Sequence, residues 1–119
     1  MASPRTAKQR IFLGPEADEA LRAKRVAVVG LGATGGVQAA WLARAGVGHL
    51  TLIDRDLVET SNLQRQLLYV NADVGRLKAE AAAERLGQAN PEVDLRPMGA
   101  DLTSGNALEL LSGFDLLLD

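Results

Sequence analysis

The sequence has no cysteine and one histidine, His49. The first absence removes disulfides, thiolate zinc sites and cysteine nucleophiles from the chain, and a lone imidazole cannot build a metal site. No apolar run approaches the ~20 residues of a membrane span, and Met1 to Lys8 lack the apolar stretch of a signal peptide. Net charge is −2, so there is no basic footprint for nucleic acid. These absences predict a soluble, cytoplasmic chain that touches neither membrane nor nucleic acid. At 119 residues it is one domain at most, large enough for a core and short for a two-part enzyme.

What is present is organised around Val26 to Gly36, where a strand-like Val-Ala-Val-Val runs into Gly30-Leu-Gly-Ala-Thr-Gly35. The following stretch, Val37 to Ala45, has helical character, the context in which a GxGxxG match carries meaning. Gly30 is expected to allow the tight turn, Gly32 the approach of a phosphate, and Gly35 close packing of helix on strand. The free N–H groups and dipole of the helix start then face an anion.

Residues 1–24 read as an N-terminal arm, polar and mobile over its first ten residues, with a short helix opened by Gly14-Pro15. Ala17, Ala20, Leu21 and Lys24 are placed on that helix's inner face or at its end. Residues 25–119 read as a Rossmann-like α/β domain. In the helix after the glycines, Trp41 is expected in the core. A second strand, Leu50 to Ile53, ends at Asp54, which lies 24 residues after Gly30 and so near the usual offset of the acid that binds a ribose hydroxyl. Ser61 to Gln64 has capping-box spacing and predicts a short helix through Leu68. Asn71 to Gly75 is a turn. From Leu77 to Ala89, alanines and Leu86 follow helical spacing, with Lys78 in the first turn and off that face. Asn90-Pro91 stops this helix. Val93 and Leu95 predict a third strand. Thr103 or Ser104 can cap a helix over Ala107 to Leu111, and Leu116 to Leu118 is a fourth strand. The alternation predicts the first half of a doubly wound parallel sheet, strand order 3-2-1-4, preceded by a helical arm. Because the sequence stops where the fourth strand reaches its functional end, it reads as the N-terminal portion of a longer protein.

A dehydrogenase domain would need only the glycines and Asp54. It leaves Ser61-Asn-Leu-Gln-Arg-Gln66 unexplained. Arg65 offers a fork of donors suited to phosphate, and Lys78 a second positive charge. Together they suit charge build-up on an attacked α-phosphate better than the two phosphates of NAD.

With these motifs the sequence resembles the ThiF/MoeB/HesA family, relatives of ubiquitin-activating enzymes. The matching stretches are Gly30 to Gly35, Ala45 to Gly48, Leu52 to Asp56, Val58, Ser61 to Gln66, Asp73 to Gly75, Lys78-Ala79 and Asn90-Pro91, in order and at family-like spacing. The resemblance implies ATP-dependent adenylation of the C-terminal glycine of a ubiquitin-like or sulfur-carrier protein. By position it places Gly30, Gly32, Ala33 and Gly35 against the nucleotide and Asp54 on the ribose. Ser61, Asn62, Leu63, Gln64 and Arg65 line the site, and Arg65 and Lys78 contact phosphate. It also implies a homodimer of the full-length protein, in which a basic arm residue enters the partner's site. Alignment on Gly14 gives Lys8 for that residue, and a small slip gives Arg10 or Arg5. Ala33 stands where the family usually has glycine. The family's magnesium-binding aspartate and zinc-binding cysteine pairs would fall after Asp119, so no metal ligand is expected within this chain, and the portion by itself is expected to be inactive. The alternatives are an NAD-binding oxidoreductase domain and a non-catalytic nucleotide-binding or dimerisation module.

Overall fold

Arg25–Val29 (β1) and His49–Ile53 (β2) lie side by side at the centre of a four-stranded parallel sheet. The structure is a computed structural model and describes residues 2–119. Asp94–Met98 (β3) pairs with β2, and Leu116–Leu118 (β4) pairs with β1, giving the order β3-β2-β1-β4. This is the expected 3-2-1-4 sheet, with helices on both of its sides. A strand covered on both faces needs an unbroken apolar run. Val26, Ala27, Val28, Leu50, Leu52 and Ile53 supply it, none more than 3% exposed. In register, Val29 lies opposite Ile53, so both central strands end at the same edge of the sheet, where the glycine turn begins.

Ala33–Ala45 (α3) follows β1, and Lys78–Ala89 (α4) precedes β3. The two helices pack on each other and on the sheet, burying Gly36, Ala39 and Ala43 from α3 and Ala79, Ala81, Ala82 and Leu86 from α4. Asn90, just past α4, donates from its side chain to the carbonyl of Ala43 (2.8 Å) and so locks the ends of both helices together. Ala107–Leu110 (α5) is a single turn leading to β4, whose Leu116 and Leu117 remain about half exposed.

Several expectations need correction. The described part of the arm is ordered: a 3-10 turn, Pro4–Thr6, leads into a helix, Ala7–Leu13 (α1), and then into Pro15–Ala23 (α2). Buried Ser3 donates to Glu92 (2.7 Å) and buried Thr6 to Asp18 (3.0 Å), which fastens the arm at its root. On α2 the buried residue is Asp18, while Ala20 and Lys24 are exposed. Trp41 is 70% exposed: α3 rests on its glycine and alanines, and the indole points away. The helix α3 starts at Ala33, four residues earlier than its apolar pattern indicated, because the glycines fold into its first turn. The capping box after β2 lies two residues earlier than read, pairing Glu59 with Asn62, and yields only a 3-10 turn, Thr60–Asn62, in place of a helix to Leu68. The third strand includes Pro97, tolerated because β3 is an edge strand. Asn106, one residue before α5, accepts from the Thr103 amide (2.8 Å) in place of a Thr or Ser cap.

Between β2 and α4 the chain is held by Asp73, which is fully buried. Its carboxylate accepts from Arg85 (3.0 and 3.1 Å), Arg76 (3.2 Å) and the Val70 amide (2.8 Å). Burial by itself would raise its pKa. The hydrogen bonds from Arg85 and Val70 and the charges of Arg85 and Arg76 outweigh that and hold it below the ordinary carboxylate range. The folded chain therefore favours ionised Asp73. This contribution is complete above about pH 4 and is lost as pH falls through the lowered folded value. Asp73→Asn should destabilise the chain by about 3 kcal/mol, the lower end for a broken buried pair because both arginines keep some solvent. Urea unfolding at neutral pH measures this, and the gap between variant and parent should narrow below pH 4.

Candidate functional site

The turn between β1 and α3 is built by backbone contact. Gly30 has φ +85°, and its amide donates to the carbonyl of Ile53 (2.8 Å), tying the turn to the end of β2. A Cβ on Gly35 would sit 1.7 Å from the Gly30 carbonyl oxygen, so the first turn of α3 seats directly on the glycine bend. At Gly32 a Cβ would meet only Gln66 Nε2, at 3.8 Å. Gly32 is the N-cap of α3 and no side chain caps the helix, which leaves its first amides directed outward.

Asp54 follows β2 and is fixed at both oxygens. Oδ2 accepts from the Leu31 amide and Oδ1 from the Asp56 amide, each at 2.8 Å. The carboxylate is thus part of the glycine turn. From Asp56 the connection continues to α4, because the Lys78 amide donates to the Asp56 carbonyl (2.9 Å). Next to this link, Leu57 and Leu77 pair as an antiparallel bridge. Lys78 is therefore brought to the strand ends by the loop after β2. Its side chain is 6% exposed and, among the described residues, has no ion-pair or hydrogen-bond partner. It lines a cleft with Arg55, Asp56, Leu57, Glu59 and Asn62. A second cleft shares Arg55 and Asp56 with it and is lined by Gly30, Asp54, Asp101 and Asp119. Lys78 lies off the helix's apolar face and is covered by this loop.

The stretch after β2 behaves unevenly. Asn62 is buried and accepts from the Glu59 amide (2.9 Å), while Leu63 packs on the core. Ser61 and Gln64 are exposed. Arg65 is exposed and folds back to donate to the Ser61 carbonyl (3.0 Å), with no ion pair among the described residues. The structure brings Gly30, Gly32, Ala33, Gly35, Asp54 and Lys78 to one edge of the sheet. In this conformation it keeps the Arg65 guanidinium on its own turn. Of the arm cations, Arg10 donates to the Ser3 carbonyl (3.0 Å) and pairs with Asp18 (3.3 Å), and Arg5 pairs with Glu92 (3.7 Å). Lys8 is exposed and unpaired among the described residues. Asp18 is held below the ordinary carboxylate range chiefly by the Thr6 hydrogen bond, against burial and with help from Arg10.

Two residues of this region were missed in sequence. Tyr69, the single tyrosine, is buried and donates to the Leu31 carbonyl (2.6 Å), bracing the glycine turn from behind. Burial, and then the charges of Asp54 and Asp73, push its phenol above the ordinary range, so it remains a donor. Its rarity was the available signal. Gln66, the last residue of the Ser61 to Gln66 run, is the other. Its backbone amide donates to Asn62 (2.8 Å), and its side chain faces Gly32. Among the described residues no three acidic or histidine side chains converge as metal ligands, and no helix is long and apolar enough to cross a membrane.

A parallel sheet with a glycine turn entering a helix N-terminus, and an acid at the end of the adjoining strand, defines a Rossmann-type nucleotide-binding domain. More narrowly, the chain belongs to the ThiF family, whose model matches residues 6–119. It is 46% identical over 104 residues to the molybdopterin-synthase adenylyltransferase of Salmonella typhimurium, covering 87% of this chain and 42% of that protein. It is 40% identical over 119 residues to the sulfur carrier protein ThiS adenylyltransferase of Bacillus subtilis, covering 97% of this chain and 35% of that protein. The crystal structure of Escherichia coli tRNA N6-threonylcarbamoyladenosine dehydratase, TcdA, in complex with ATP superposes with a TM-score of 0.93 at 32% identity, covering 98% of this chain and 50% of that one. The chain thus spans half or less of these relatives' length.

Two substitutions separate the turn's backbone from its brace. Gly35→Ala should abolish cooperative folding, since the new methyl would occupy the Gly30 carbonyl. Tyr69→Phe should fold and lose about 1–3 kcal/mol by leaving the Leu31 carbonyl buried without its donor. Urea midpoints with an unchanged m-value would establish the second.

Proposed function

We propose that this chain is the ATP-binding portion of an adenylyltransferase that activates the C-terminal carboxylate of a ubiquitin-like or sulfur-carrier protein. The observation that carries the reading is the single sheet edge holding the uncapped α3 N-terminus, the twice-anchored Asp54 and Lys78, which has no ion pair among the described residues. The adenylyltransferase names of the Salmonella and Bacillus relatives support the reaction and the class of acceptor. The ATP complex of TcdA supports the nucleotide.

The residues present fit ATP. Phosphate meets outward amides at Gly32 and Ala33, with no Cβ at Gly32 to obstruct it. Asp54, fixed by the Leu31 and Asp56 amides, accepts from ribose hydroxyls. The Lys78 ammonium has no ion pair among the described residues, which leaves it free to meet an anion in its cleft. In the reaction, the acceptor carboxylate oxygen bonds to the α-phosphorus and the bond to the β-phosphate bridge breaks, releasing pyrophosphate. Lys78, and Arg65 once swung from the Ser61 carbonyl, offset the charge that accumulates on the phosphoryl oxygens. Magnesium would accompany the nucleotide: among the described residues no group of acids or histidines makes a metal site alone, and the ion would be held largely by the phosphates. The full-length protein is proposed to act in the cytoplasm as a homodimer. Its arm cation, Lys8 or Arg10, would then serve the partner's site, and Lys8 is the one not tied up internally.

Calorimetric titration with ATP–magnesium, and separately with NAD, tests the reading. ATP binding is expected, weakened about tenfold or more in Arg65→Ala and in Lys78→Ala, as for loss of a charge-assisted contact, with circular dichroism unchanged. NAD binding without ATP binding, or full ATP affinity in both variants, would overturn it.

A further inference from the structure

Gln66 is 5% exposed, and its Oε1 is the one buried side-chain polar atom without a hydrogen-bond partner among the described residues. The other end of the carboxamide, Nε2, lies 3.8 Å from the Cβ position of Gly32, the N-cap of the 13-residue helix α3. Among the described residues no hydrogen bond holds this amide in place. The backbone on either side is nevertheless fixed: the Gln66 amide donates to the Asn62 carbonyl (2.8 Å), and the Tyr69 hydroxyl fastens the same loop to Leu31 (2.6 Å). A buried amide with no partner is unfavourable, and an apolar side chain of similar size would remove that cost. The loop thus holds a side-chain donor, Nε2, beside the outward amides of α3, with no partner for it among the described residues.

We propose that Gln66 is a phosphate-contacting residue of the nucleotide site, donating from its side-chain amide to the phosphoryl group seated on the α3 N-terminus. This rests on the nucleotide reading above and adds a neutral donor to the charged pair Arg65 and Lys78. A neutral donor fits this place. It contributes to phosphate binding without drawing the Asp54 carboxylate, one residue beyond Ile53, away from the Leu31 amide. Nε2 is the end already turned toward Gly32, so the donor faces the ligand without displacing the loop.

The test pairs stability with affinity in the 119-residue chain. Gln66→Leu is expected to keep or raise the melting temperature while weakening ATP binding about tenfold, the loss typical of a hydrogen bond to a charged group. Adenosine, which has no phosphate, should bind the variant as it binds the parent. Gln66→Glu, which is isosteric, should weaken ATP further by placing a carboxylate beside the phosphates, and it serves alone if the leucine variant does not fold. Unchanged ATP affinity in either folded variant would overturn the proposal, as would an equal loss for ATP and adenosine. A lower melting temperature with intact affinity would show a purely structural role. If the parent chain binds neither ligand, the nucleotide reading falls and takes this proposal with it. If the parent binds and the variants bind equally, this proposal alone falls.

Discussion

The carboxylate of Asp54 holds two turns in one place. One oxygen takes the Leu31 amide from the bend after β1, and the other takes the Asp56 amide from the loop after β2. In a parallel sheet, neighbouring strands end side by side but their following loops diverge, so a site spread over both needs a tie. Asp54 is that tie. Through the Asp56 carbonyl it extends to Lys78 at the start of α4, so three elements far apart in sequence share a chain of short hydrogen bonds. In the proposed function the same carboxylate serves the ribose, so anchoring and binding use different lone pairs of one group.

Around that tie, charges are sorted by their surroundings. Asp18 and Asp73 are buried and surrounded by arginine, and both are held ionised. They organise the arm and the loop before α4. Lys78 is 6% exposed and makes no ion pair among the described residues. Two buried acids are satisfied by internal arginines, whereas the Lys78 ammonium is held by no ion pair among the described residues and in the proposed function is kept for an anion.

The sheet was legible in sequence because its central strands are buried on both faces and carry unbroken apolar runs between glycine and charged breaks. The glycine bend was equally legible, since Gly30 and Gly35 answer to steric requirements that no other residue meets. Trp41 was misplaced because hydrophobicity alone favours burying an indole. On α3 the seat against the sheet admits only small residues, so the large one is turned outward. The arm looked mobile because polar residues such as Ser3 and Thr6 carry no periodic signal. Their partners, Glu92 and Asp18, are found only once the chain is folded. Tyr69 and Gln66 escaped for a related reason: one acts through a backbone carbonyl, and the side chain of the other has no partner among the described residues.

The small residues under α3 have a mechanical consequence. Gly36, Ala39 and Ala43 are buried and have no rotamers to exchange, so along these positions the helix has nothing that can yield by degrees. Its N-terminal end is stopped by the Gly30 carbonyl against Gly35. Such a joint is rigid rather than adjustable. Pressure at its seat moves the whole helix or does not move it, so variation in this region should divide sharply into silent and ruinous, while the exposed side of the same helix stays free to drift.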